Sequence, residues 1–192
     1  MIDWALVLSI IGAAAWVPII ATPVINLFRN VSAILIDSRI LTNGTGVSAE
    51  KKEKKNGTIL ILFINVHIKN VDFFPTDISA KIKLMSGAIS NAVLLDCSTV
   101  VSNNEKGRRI IFTFPHDMEW NVYRTIHGNA DNIKAVAFLA ENAAFQQLQD
   151  IDEIEIILHK DKLLRKTIKI RHSQFPKFNA PQMIDKYEVA LE

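Results

Sequence analysis

The residues best suited to chemistry in this sequence are four basic side chains, Arg124, Arg165, Lys169 and Arg171. Guanidinium forks bind phosphate or carboxylate oxygens in pairs, and an ammonium adds a point charge, so the set suits a small anionic, nucleotide-like ligand. Three of the four fall in Lys160 to His172, KDKLLRKTIKIRH. Much of that basicity has a plainer origin. With Lys160-Asp161 as a two-residue hairpin turn, Asp152 falls opposite Lys169 and Glu155 opposite Lys166, and cross-strand ion pairs absorb the charge. Arg165 and Arg171 are left over by that scheme.

The second cluster is Pro115 to His127, PHDMEWNVYRTIH, which gathers His116, Asp117, Glu119, Tyr123, Arg124 and His127 on one connection. A catalytic zinc needs three protein ligands held tetrahedrally, and this spacing supplies no such set. A polar crossover whose Trp120 and Tyr123 cap the core is the simpler reading. The sequence holds no Gly-x-Ser-x-Gly, no Cys-x-x-Cys and no glycine-rich phosphate loop, so the expectation is a protein that is not an enzyme and needs no cofactor or metal. The one cysteine, Cys97, sits in an apolar run and reads as a small buried hydrophobe in a strand.

The elements that must position these side chains are short β-rich runs bounded by turn residues. The expected strands are Val31 to Leu41, Thr58 to Ile68, Ile78 to Met85, Ala92 to Val101, Arg108 to Phe114, Ile133 to Ala140, Ile151 to Leu158 and Leu163 to Arg171. Thr58 to Ile68 is apolar on both faces, the pattern of a central strand. Ile78, Ala80, Ile82 and Leu84 alternate with Ser79, Lys81 and Lys83, the pattern of a half-solvated one. Asn142 to Gln149 reads as a short helical insertion, with Asn142 as its N-cap. The result is an all-β class: an antiparallel β-sandwich or β-barrel of about eight strands. The passage NVHIKNVDFFPTDISAKIKL, Asn65 to Leu84, resembles the Ig-like superfold in broad character. That likeness covers a small part of the chain and transfers no site.

Ahead of this domain, Trp4 to Phe28 carries no charged side chain. A run of ~20 apolar residues suffices to cross a bilayer as a helix, so residues 1–28 are expected to form a single transmembrane anchor, kinked or ended by Pro18 and Pro23. A cleaved signal peptide fits less well, because the n-region has no Lys or Arg and the run continues past Ala13 to Ala15. Only Asp3 precedes the run, while Arg29, Arg39 and the lysines of EKKEKK follow it, which places the C-terminal domain in the cytoplasm beside the cell membrane. The sequons at Asn30, Asn43 and Asn56 point the other way, but Asn-Gly-Thr is also common turn chemistry. Glu50 to Lys55 reads as a solvated loop rather than a lipid contact, its glutamates diluting its lysines.

The organisation expected is therefore an anchor at 1–28, a β-domain at 29–172 and an extended C-terminal tail at 173–192. A net charge of +2 is too mild to imply specific nucleic-acid binding. The partners expected are the lipid bilayer, a protein partner or further copies in a homo-oligomer, and in an alternative reading a small anionic ligand. The two functions to separate are a membrane-anchored interaction module and a ligand-gated effector that oligomerises its helix to disrupt the membrane.

Overall fold

A computed structural model describes residues 31–69, 72–103, 107–120, 125–140, 145, 147–160, 164–175 and 183–191. The expected anchor, 1–28, and Arg124 lie outside these. Among the described residues no helix is long and apolar enough to cross a membrane.

Among the described residues ten strands form one sheet: β1 (Val31–Val47), β2 (Lys54–Ile68), β3 (Asp77–Leu84), β4 (Ile89–Leu95), β5 (Val101–Asn103), β6 (Arg109–Phe112), β7 (Asn132–Ala140), β8 (Ile151–Lys160), β9 (Leu164–Arg171) and β10 (Glu188–Ala190). Their hydrogen-bonded order is β10-β6-β5-β1-β2-β7-β4-β3-β8-β9, and every strand pair in it is antiparallel. The all-β antiparallel class expected from alternation is what the chain adopts, with ten strands where about eight were read. One continuous order, in place of two separate sheets, limits the Ig-like resemblance to that class.

The two-faced apolarity of β2 explains how one sheet encloses two cores. Leu60, Leu62, Ile64 and Val66 point into a large core with Ile78, Ile82, Phe138, Ile154, Ile156 and Ile168. On the other face, Ile59, Ile61 and Phe63 join a smaller core with Leu95, Ile110, Phe112, Phe114 and Ile184. Strand period 2 sends alternate residues to opposite faces, so a strand shared by two cores must be apolar throughout. To serve both cores β1 has to bend. It does so at register shifts between Leu35 and Asp37 and between Leu41 and Gly44, the kind of irregularity that increases twist. β9 returns alongside β1 without pairing with it, which wraps the sheet around the large core.

Three expectations change here. The run Ala92 to Val101 is split, because Cys97–Thr99 form a 3-10 turn whose N-cap Asp96 accepts the backbone N–H of Ser98, and β5 begins only at Val101. Cys97 is buried as expected, but in that turn and not in a strand. Of the helical insertion read at 142–149, half, Asn142 included, lies outside the described residues, and its end enters a 3-10 turn, Leu148–Asp150. The third concerns the extended tail read at 173–192. Residues Met183–Tyr187 form a 3-10 turn and Glu188–Ala190 pair with Phe112, Ile111 and Ile110 of β6. Burial of Ile184 holds this segment in place. The buried Asp37 carboxylate accepts the backbone N–H of Ile184 at 2.9 Å, and Arg39, stacked over Phe112, pairs with Asp185 and Glu188.

Candidate anion site and the surrounding surfaces

The β8–β9 hairpin carries three of the four basic residues singled out in the sequence, and its register differs from the expected one. Lys160 pairs with Leu164, so residues 161–163 form the connection, and Glu155 rather than Asp152 stands opposite Lys169. Lys169 Nζ lies 2.5 Å from Glu155 and 3.3 Å from Glu153. Arg171 Nε lies 3.7 Å from Glu153, and Asp152 is engaged by Lys83 of β3 at 2.8 Å. Glu155 thus does not meet Lys166, and Arg171 is not left over.

These contacts leave their mark on protonation. The Lys169 ammonium holds Glu155 below the ordinary glutamate range, and Glu155, then Glu153, raise Lys169 above the ordinary lysine range. A carboxylate whose folded pKa is depressed adds stability above its unfolded pKa and loses it as pH falls through the folded one. Lys169→Met should therefore lower the melting temperature slightly at neutral pH, and that difference should shrink to nothing on acidification below the glutamate range. The effect is small because the pair is largely exposed. A difference that persists unchanged in acid would mean Lys169 contributes by packing instead.

Lys166 turns the other way. Alternation along β9 sends Lys166, Ile168 and Ile170 to the core side, and Lys166 is 7% exposed with its ammonium 5.5 Å from the Phe73 ring centre. Burial pushes its amine below the ordinary lysine value. Arg165, in register with His159, is exposed at the opposite end of β9 from Arg171. Six residues of strand separate the two by ~20 Å, so the structure does not bring these guanidinium groups onto one phosphate.

The PHDMEWNVYRTIH segment is also dispersed. Trp120 is fully buried in the large core, and its backbone, with that of Met118, hydrogen-bonds to Ala135 along the stretch of β7 that β4 does not reach. His127 lies apart, 3.3 Å from Asp72. Among the described residues no group of His, Cys, Asp or Glu could hold a metal ion. Cys97 is sealed in the small core, where burial pushes its thiol well above the usual range, so it is no ready nucleophile.

A polar hub not anticipated from the sequence sits where β2 ends and β7 begins. Asn132 is buried; its two amide hydrogens are shared among the carbonyls of Val66 (3.2 Å), His127 (2.9 Å) and Ala130 (2.9 Å), and its Oδ1 accepts the His127 N–H at 3.1 Å. Asp72 accepts the Gly128 N–H at 2.7 Å, and that bond first, then His127, lowers its pKa. Asn65 accepts the Asn132 N–H and donates to Asp131. The hub shapes the loop from 127 to 131. The only local hint was a dense run of Asn, Asp, Gly and His, which is ordinary turn composition.

No protein-family model matches the sequence, and comparison with curated proteins and with solved structures found no match. Function must therefore be argued from the surface. Its most exposed apolar side chains on one hairpin are Met85, 53% exposed, and Ile89, 66% exposed. They flank the β3–β4 turn, where Gly87 adopts φ +84°, a left-handed conformation suited to glycine. Far from this turn, at the end of the sheet where β1 begins, Ile34 is 60% and Phe74 39% exposed.

Proposed function

We propose that this chain is a membrane-anchored, non-enzymatic β-domain, single-pass with the domain in the cytoplasm, which docks a protein partner or another copy of itself. The observation that carries the docking is the pair Met85 and Ile89, because exposed apolar side chains held on a rigid hairpin tip are costly in water and gain when covered. The anchoring rests on the uncharged run Trp4 to Phe28 and its flanking charges. The ligand-gated alternative draws less support, since Lys169 and Arg171 already neutralise Glu153 and Glu155.

The test is site-specific photocrosslinking of the full chain in its own membranes, with benzoylphenylalanine replacing Ile89. The expected outcome is a crosslinked band at one defined mass, either twice that of the chain or that of a distinct partner complex, and its loss in a Met85→Asp background. Absence of any band, or a band indifferent to Met85→Asp, would count against docking through this hairpin.

A further inference from the structure

We infer that the end of the sheet where β1 begins rests against the phospholipid headgroup layer, leaving the β3–β4 hairpin as the end remote from the membrane. This rests on residues 4–28 being a membrane span, and the reach of the chain does the rest. Only Arg29 and Asn30 lie between Phe28 and Val31. From Phe28 to Val31 there are three Cα–Cα steps, at most ~11 Å fully extended. The headgroup zone on one side of a bilayer is itself ~5–7 Å thick, so with the span ending at Phe28, Val31 stands no more than a few ångström beyond it, within reach of long side chains.

The strand directions say what else comes down with Val31. Val31 pairs with Ile68 at the end of β2, and Ile133 at the start of β7 stands opposite Asn65. β3 starts at this end, with Asp77 opposite His159, and β9 starts here with Lys160 opposite Leu164. The surface presented thus includes Lys69, Phe74, Lys160 and Arg165, with Phe74 in the connection from β2 to β3. An aromatic ring flanked by long basic side chains suits the interface, where rings sit at headgroup level and amines reach lipid phosphates. Among the described residues the carboxylates toward this end include Asp72, Asp77 and Asp131, beside His67, His127 and His159, with Asp117 and Glu119 along the start of β7. Asp72 accepts the Gly128 N–H and Asp131 faces Asn65 and His67. Acids and bases are thus mixed at this end, so the contact suits a zwitterionic leaflet as well as an acidic one. Met85 directly follows the eight-residue β3 and lies a strand length away, ~26 Å at the usual rise.

The experiment uses the full chain in phosphatidylcholine vesicles doped with a nitroxide-headgroup lipid. An environment-sensitive dye is attached at Phe74→Cys, Lys69→Cys, Ile133→Cys or Met85→Cys; buried Cys97 serves as the unlabelled background. Emission at 74 and 69 should be mostly lost and emission at 85 retained, in variants whose melting temperature matches the parent. Quenching at 85, or its absence at 74 and 69 whatever the result at 133, would overturn the proposal. Alkaline carbonate extraction of the same vesicles separates the two readings. Chain retained with position 74 unquenched refutes the surface and leaves the span standing; chain washed off after quenching at 74 refutes the span and supports the surface.

Discussion

Ile61→Asp is expected to abolish folding of the β-domain. Ile61 is fully buried in the small core, where β2 packs beneath Ile110, Phe112 and Phe114. An ionised carboxylate placed there without a partner costs several kcal/mol even after relaxation, against the ~5–15 kcal/mol that a domain has to lose. Protonation of the acid would relieve the charge but leave a polar group unbonded and an isoleucine side chain's burial forfeited. Far-ultraviolet circular dichroism and a thermal melt of the purified chain check the outcome. A cooperative β-sheet transition retained near the parental temperature would show that the small core is dispensable and that the large core alone carries the domain. Phe63→Asp should behave in the same way, since Phe63 packs against Phe114 and Tyr187.

Asn132→Ala is expected to lower stability by about 1.5–4.5 kcal/mol, because it removes two amide donors, shared among the carbonyls of Val66, His127 and Ala130, and the acceptor of the His127 N–H, at ~0.5–1.5 kcal/mol per bond lost. At the scale usual for a chain of this size that is a fall of roughly 5–15 °C in melting temperature. Asn132→Asp is the sharper variant. It keeps an acceptor for His127 but turns a carboxylate toward carbonyl oxygens, so it should be at least as damaging as alanine despite its near-identical shape. Melts of the two variants side by side decide the point: an aspartate variant close to the parent would mean that the amide's donated bonds contribute little. The same loss should show as faster amide exchange across residues 127–131, which Asn132 and Asp72 hold in place.

The two variants report on parts of the fold that differ in how legible they were. Ile61 could be assigned to a core from its neighbours along the chain, because TILILFINVHI is apolar at nearly every position of a strand and only a strand covered on both faces can be so. Asn132 could not. Its partners Val66 and Asn65 are some sixty-six residues away in sequence, and nothing in a local run of Asn, Asp and Gly distinguishes a loop-organising amide from an ordinary turn residue. The basic residues sit between these cases. The orientation of Lys166 was legible from its alternation with Ile168 and Ile170, yet pairing it with Glu155 assigned it to the solvated face. The strands join between Lys160 and Leu164 in place of a two-residue turn at 160–161, which shifts the register by three residues and brings Glu153 to Arg171.

By itself the sequence determined the approximate positions of most strands, though not the full length of β1, the break between β4 and β5 or the existence of β10; it also determined the two-faced burial of β2, the half-solvated face of β3 and the burial of Cys97, since each depends on the period of apolar residues along a short stretch of chain. Tertiary structure alone decided which strands are neighbours, that β1 bends to serve both cores, that residues 183–191 return to add β10 beside β6, and which acid meets which base on the β8–β9 face. The physical reason is that strand formation is read from local alternation, whereas strand pairing is settled by burial and hydrogen bonding between residues far apart in the chain, where a one-residue difference in a connection exchanges every partner.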